Sequence, residues 1–193
     1  MKRILLIVAA LLVINPALMA KKRINPAPEE NHINWLSMDD LQVSMKKKPK
    51  KVFMDVYTDW CGWCKRMEAT TFSNPEVVKY MNENFYCVRF NAERKDTFRF
   101  MGKSYYPDPV KKANTLAIEL TKDKLSYPTF IIMEEFYQNP QPIAGYLTAP
   151  QIEPILKYFA GNIYKNKQWP DFQKEFKTTW VAADDAQAPP AGH

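Results

Sequence analysis

The chain has 193 residues, 46% of them hydrophobic, and a net charge of +6, which suits one domain with a single ordinary core. Five glycines stand against fifteen prolines, and no glycine-rich phosphate loop is present, so a nucleotide-binding enzyme of that type is excluded. The positive charge sits in short clusters, Lys21-Lys22-Arg23 and Lys46-Lys47-Lys48 with Lys50-Lys51 close behind. No aromatic-interleaved basic repeat accompanies them, so they read as solvated ends of elements and not as a nucleic-acid surface.

The chain opens on Lys2-Arg3, an apolar run from Ile4 to Ile14, and small or apolar residues down to Ala20. That is the layout of a secretory signal, with cleavage expected after Ala20 despite the bulk of Leu18. The run is shorter than the ~20 residues a membrane span needs. An uncleaved anchor is the alternative. Either way the folded part is expected in the periplasm or outside the cell, with no stable membrane insertion once the signal is cleaved. Such compartments are oxidising, and a close cysteine pair there can act as a redox couple. Residues 21–33, polar and proline-bearing, read as a tether.

Apolar residues at 35, 38, 41 and 45 predict a helix over 34–46, stopped by Pro49. Lys51 to Tyr57 reads as a strand buried on both faces, as in a sheet covered by helices. Asp55 interrupts it. An unpaired buried carboxylate is costly, so Asp55 reads as a buried functional acid, the alternative being a strand-end acid facing solvent. Cys61 and Cys64 follow, three positions apart at the start of a predicted helix, where i and i+3 share a face. Unpaired N–H groups and the helix dipole favour a thiolate there. A thiolate with a second thiol in reach can attack a disulfide and then be released by its neighbour. The spacing alone leaves metal binding, a structural bond and redox chemistry open.

Ser73-Asn74-Pro75-Glu76 restarts a helix, and Phe85 to Phe90 reads as a strand with Cys87 as a small core residue. Within 92–112 the aromatic stretch Thr97 to Tyr106 predicts a short hairpin or an exposed loop, closed by Pro107-Asp108-Pro109. A helix is expected over 113–124, and a buried strand over 130–133. Pro140 and Pro142 flank a turn, Ile143 to Leu147 forms a last strand, and Thr148 starts a helix to about Ala160. Trp169 to Trp180 reads as an amphipathic helix, with Phe172, Phe176 and Trp180 at spacings of four. It is expected to pack back on the domain, with a partner surface as the alternative. Residues 182–193, rich in alanine, proline and acid, read as a disordered tail.

The coarse order of elements resembles the thioredoxin fold, and the motifs are sharper than the order. Phe53-Met54-Asp55 through Trp60-Cys61-Gly62-Trp63-Cys64-Lys65 looks like the thioredoxin active-site stretch, including the acid six residues ahead of the first cysteine. Tyr127-Pro128-Thr129 looks like the family's cis-proline loop, and Gly145-Tyr146 sits where the family commonly has a glycine on its final strand. Met67 to Phe72, Pro75-Glu76-Val77 and Asn82 to Phe85 are similar to a subgroup of exported bacterial thioredoxin-like domains. The resemblance covers residues 34–160. It implies an α/β fold with a central mixed sheet of four to five strands flanked by helices, an insert at about 92–112 before the third main helix, and a helical extension over 161–181.

The resemblance also implies roles. Cys61 would be the exposed nucleophile, Cys64 the buried resolving thiol, and Asp55 the proton acceptor or relay for Cys64. Pro128, if cis, would bring its backbone beside Cys61, with Tyr127 pairing substrate backbone and Trp60 shielding one side. Trp63 replaces the proline of thioredoxin and the histidine of protein disulfide isomerase, which leaves the direction of electron flow open. Asp55 and Lys65 lean towards a reductase. No cofactor is implied beyond the Cys61–Cys64 disulfide. The implied partners are exported proteins with thiols or disulfides and a membrane-linked electron donor or acceptor, with no nucleic acid. Two other readings stand beside this one. One is a non-catalytic binding module with a structural disulfide. The other is a soft-metal thiol site such as Cu(I) on Cys61 and Cys64. A closed zinc site and a cysteine protease both want a placed histidine, and His32 and His193 lie in the expected tails.

Overall fold

A computed structural model describes residues 31–182. The expected signal, most of the tether and all but the first residue of the expected tail lie outside the described residues. Along the chain the elements are β1 (Trp35–Leu36), α1 (Met38–Lys47), β2 (Lys51–Tyr57), α2 (Gly62–Thr70), α3 (Pro75–Asn84) and β3 (Phe85–Asn91). Then come β4 (Phe98–Phe100), β5 (Lys103–Tyr105), β6 (Pro107–Asp108), β7 (Ala113–Asn114) and α4 (Thr115–Leu120). The last are β8 (Thr129–Met133), β9 (Gln141–Ala144), α5 (Ala149–Ala160) and α6 (Trp169–Glu175).

The central sheet has the order β1-β3-β2-β8-β9. β3 runs parallel to both β1 and β2, while β8 is antiparallel to β2 and to β9. The thioredoxin-like α/β architecture read from the sequence is what forms. Alternation along β2 splits the core in two. Val52, Met54 and Val56 join Leu41, Met45 and Leu116 on one face. Phe53 joins Val77, Met81, Ile152 and Leu156 on the other, and stacks on Phe130 with centroids 5.3 Å apart. Helix starts follow the local chemistry. Asn74 accepts the N–H groups of Glu76 and Val77 ahead of Pro75, and Thr148 forms a reciprocal cap with Gln151, satisfying donors that the helix itself leaves unpaired.

Several boundaries differ from the sequence reading. The helix over 34–46 starts later: Ser37 caps it, and Trp35–Leu36 instead adds a short parallel strand to β3. Helical spacing at 35 and 38 arose by chance from a strand meeting a helix. Ile33, placed in the tether, is buried in the core. The insert is two small hairpins, β4–β5 and β6–β7. The first is no exposed loop: Phe100 and Tyr105 are buried beside Phe90, and Gln42 holds its turn by accepting the Met101 N–H at 3.3 Å. Asn114 caps α4, which is half the expected length. Pro142 lies inside β9 and not at a turn. The strand ends at Ala144 because Gly145 adopts φ +104°, a conformation that side-chain-bearing residues rarely reach.

Within the extension a 3-10 turn at Ile163–Lys165 precedes α6, and the expected helix to Trp180 stops at Glu175. The extension packs back on the domain as expected. Trp180 is buried against α3, its ring 5.5 Å from Tyr80. The fastening is Glu153 of α5, which is fully buried. It accepts from Lys157 Nζ at 2.5 Å, Thr179 N at 2.8 Å, Thr179 Oγ1 at 2.7 Å and Trp180 N at 3.0 Å, and also from Thr178 Oγ1. Burial alone would raise this carboxyl, but those donors overcome it and hold it at about 2, below an ordinary 4.5. A depressed folded value means the stabilisation is present above pH 4.5 and is lost as pH falls towards 2. Glu153→Gln is expected to cost about 2–4 kcal/mol at pH 7, read as a lower urea midpoint, with faster tryptic cleavage at Lys177 as the strap detaches. The cost should shrink at pH 2–3.

Candidate active site

β2 carries the chain from the sheet centre to Asp59-Trp60, and α2 begins directly after Cys61. Cys61 is the N-cap of α2. Its sulfur is bonded to Cys64 Sγ and also accepts the Cys64 N–H at 3.0 Å. The Cys61 N–H donates to the Thr58 carbonyl at 3.2 Å, and the Cys61 carbonyl accepts the Lys65 N–H at 3.2 Å. The pair is therefore fixed to the end of a strand and the first turn of a helix. Both cysteines are only 4% exposed, which corrects the expectation of an exposed Cys61. The disulfide turns the Cys61 side chain back onto the helix start, while its neighbours Trp60 and Trp63 stand out at 65% and 38% exposure.

Asp55 is 2% exposed on β2, which settles it as a buried acid and not a solvent-facing one. Burial pushes its carboxyl up from an ordinary 3.8 to about 6. Arg89 works against that through its charge and its hydrogen bond, and Glu68 adds to the rise. Arg89 lies opposite Asp55 in the β2–β3 register. Its Nε donates to Asp55 Oδ2 at 3.3 Å and its Nη1 to Glu68 Oε1 at 2.6 Å. Its guanidinium also sits over the Tyr57 ring at 4.4 Å. The buried acid is thus linked through one arginine to a surface glutamate.

The Tyr127–Pro128 bond is cis, and the Pro128 carbonyl accepts the Gly145 N–H at 2.8 Å. The Tyr127 ring meets Trp60 edge-on at 5.8 Å, so the proline loop and the cysteine turn lie side by side. Cys87, 1% exposed with its thiol pushed up to about 12 by burial, is a core residue. Among the described residues no group of three or more His, Cys, Asp or Glu could hold a metal ion, and no helix is long and apolar enough to cross a membrane.

The sequence reading missed Arg89, Glu68, Arg66 and Tyr146. Arg89 had one available signal, a cation two residues past Cys87 in a strand predicted beside β2, but the register that pairs it with Asp55 is not written in either strand. The Trp63–Tyr146 contact, centroids 5.3 Å apart, joins positions more than eighty residues distant, and nothing local announces it.

A five-stranded mixed sheet, a disulfide at a helix start beyond its central strand, and a cis-proline turn alongside define a thioredoxin-fold protein. The chain belongs to the family described as Thioredox_DsbH, Protein of unknown function, DUF255, whose model matches residues 26–126. It is 37% identical over 82 residues to the thiol:disulfide interchange protein DsbD of Escherichia coli strain K12, a match covering 40% of this chain and 14% of that protein. It is 40% identical over 50 residues to mouse spermatogenesis-associated protein 20, covering 26% of this chain and 6% of that protein. The matched part is thus a small fraction of either relative's length. Among solved structures, a thioredoxin-fold protein from Helicobacter pylori superposes with a TM-score of 0.52 at 18% identity, covering 77% of this chain and 89% of that one; it bears on the fold alone.

Proposed function

We propose that the protein is a thiol–disulfide oxidoreductase of exported proteins, working as a reductase through Cys61 and Cys64. The observation that carries this is the Cys64 N–H donating to Cys61 Sγ at a helix N-terminus. In the reduced protein the same donor and the helix dipole favour a Cys61 thiolate. That thiolate attacks one sulfur of a substrate disulfide, forming a mixed disulfide while the other sulfur leaves as a thiolate and takes a proton from water. Asp55, ionised above about pH 6, accepts the Cys64 proton. The Cys64 thiolate then attacks Cys61 Sγ and displaces the second substrate sulfur. Two electrons pass to the substrate, and the protein is left in its disulfide form.

A membrane-linked dithiol donor would return it to the reduced state. The signal-like residues 1–20 and the similarity to a thiol:disulfide interchange protein support an exported location and such a partner. Trp60, Trp63, Tyr127 and Pro128 are proposed to contact the substrate. The low exposure of both cysteines, 4% each, favours one competing reading, a binding module whose disulfide is structural. Equilibration against glutathione or dithiothreitol buffers separates the two. A working couple is expected above about −300 mV, and a value below it would support the structural bond.

A further inference from the structure

The two exposed tryptophans beside the disulfide belong to neither core cluster. Each leans on a tyrosine anchored in a different one. Trp60 meets Tyr127, which packs on the first cluster, and Trp63 meets Tyr146, which packs on the second. The disulfide is therefore straddled by aromatic pairs rooted on opposite faces of the sheet. The Trp63 side is the more elaborately held. The Arg66 guanidinium lies 6.0 Å from the Trp63 ring centroid and 5.7 Å from that of Tyr146. The Tyr146 hydroxyl lies 3.1 Å from Thr70 Oγ1. These contacts fix two tilted rings at the rim of the disulfide, with Trp63 38% exposed and Tyr146 half-buried. Rigid, half-exposed aromatic groups are what contact surfaces use, since they offer large area at small entropic cost.

Resting on the oxidoreductase reading, we propose that Trp63 and Tyr146, held by Arg66, form a subsite for an aromatic side chain next to the substrate cysteine. The favoured substrate is then a polypeptide whose reacting cysteine has an aromatic neighbour. The mixed disulfide brings this rim within reach. Residues flanking a substrate cysteine bonded to Cys61 lie at most about 3.3–3.6 Å per residue from it, and Trp63 is itself two residues from Cys61. A flanking aromatic ring can complete a three-ring cluster there, whereas a small side chain leaves the two rings wet.

The test uses the pre-reduced protein and two symmetrical peptide disulfides, identical except that phenylalanine or alanine precedes the cysteine. Each turnover oxidises one protein dithiol and releases two peptide thiols, which are counted by chromatography. With each protein dithiol reacting once, the ratio of single-turnover second-order rate constants for the two peptides is expected to be about threefold to tenfold in favour of phenylalanine, carried by the half-saturating peptide concentration. Tyr146→Ala is expected to bring the ratio to about 1, and Tyr146→Phe, which keeps the ring and loses only the hydroxyl, to retain it. A general loss of folding would lower both rates and leave the ratio standing. Exchange with both peptides but no preference, or a preference that survives Tyr146→Ala, overturns the subsite alone. No exchange with either peptide overturns the oxidoreductase reading and the subsite with it.

Discussion

Cys61→Ser is expected to reduce insulin-disulfide reduction to the uncatalysed background, a loss of about 10³-fold or more. A serine hydroxyl is un-ionised at neutral pH where a helix-capping thiol is substantially thiolate, and no other cysteine can replace it. Cys64 is the second member of the pair, and Cys87 is buried with its thiol pushed up to about 12. Cys64→Ser should fail differently. The nucleophile remains, so one substrate sulfur is captured, but no thiol is left to release it. Intact-mass measurement should show a stable adduct with Cys64→Ser and none with Cys61→Ser. Cys87→Ala should exchange at the unaltered rate. Catalysis that survives Cys61→Ser would remove the proposed activity, whatever the adducts show.

That this centre was readable in the sequence follows from where its information lies. The strand Lys51 to Tyr57, the pair Cys61/Cys64 and the helix start are contiguous, so apolar run, spacing and cap can be judged together. Tyr127-Pro128-Thr129 is also local, a proline just ahead of a buried strand. The groups that set the electrostatics are not local. Arg89 reaches Asp55 only because β2 and β3 pair in parallel with 55 opposite 89, and a one-residue slip would point it to the other face. Trp35 shows the converse error. Its spacing from Met38 suited a helix, and only pairing with β3 makes it a strand. The insert was ambiguous for a similar reason. Its short strands carry too few residues for periodicity to speak, and burial of Phe100 and Tyr105 against the sheet decides the outcome.

Asp55→Asn is expected to stabilise the protein and to slow it, both above the pH at which Asp55 ionises. Burial raises the Asp55 carboxyl from an ordinary 3.8 to about 6. The folded protein therefore holds a proton between those values that the unfolded chain has released, and stability falls as pH rises through that window. The difference is about two, at 1.36 kcal/mol each, so the penalty approaches ~3 kcal/mol above pH 7. Asparagine avoids it, and Arg89 still has Glu68 at 2.6 Å and the Tyr57 ring at 4.4 Å to hold it. The urea midpoint of Asp55→Asn should exceed that of the unaltered protein at pH 8 and match it within error at pH 4. Exchange should change the other way. Losing the proton acceptor for Cys64 should slow release of the mixed disulfide about 10- to 100-fold at pH 7, and the deficit should close at higher pH, where Cys64 ionises unaided. Arg89→Leu removes the cation that lowers Asp55, so its rate should rise with pH later than in the unaltered protein. A stability gain equal at pH 4 and pH 8 would mean the aspartate is not a buried acid of raised pKa. An unchanged rate at pH 7 would remove it from the proton path while leaving the stability argument intact.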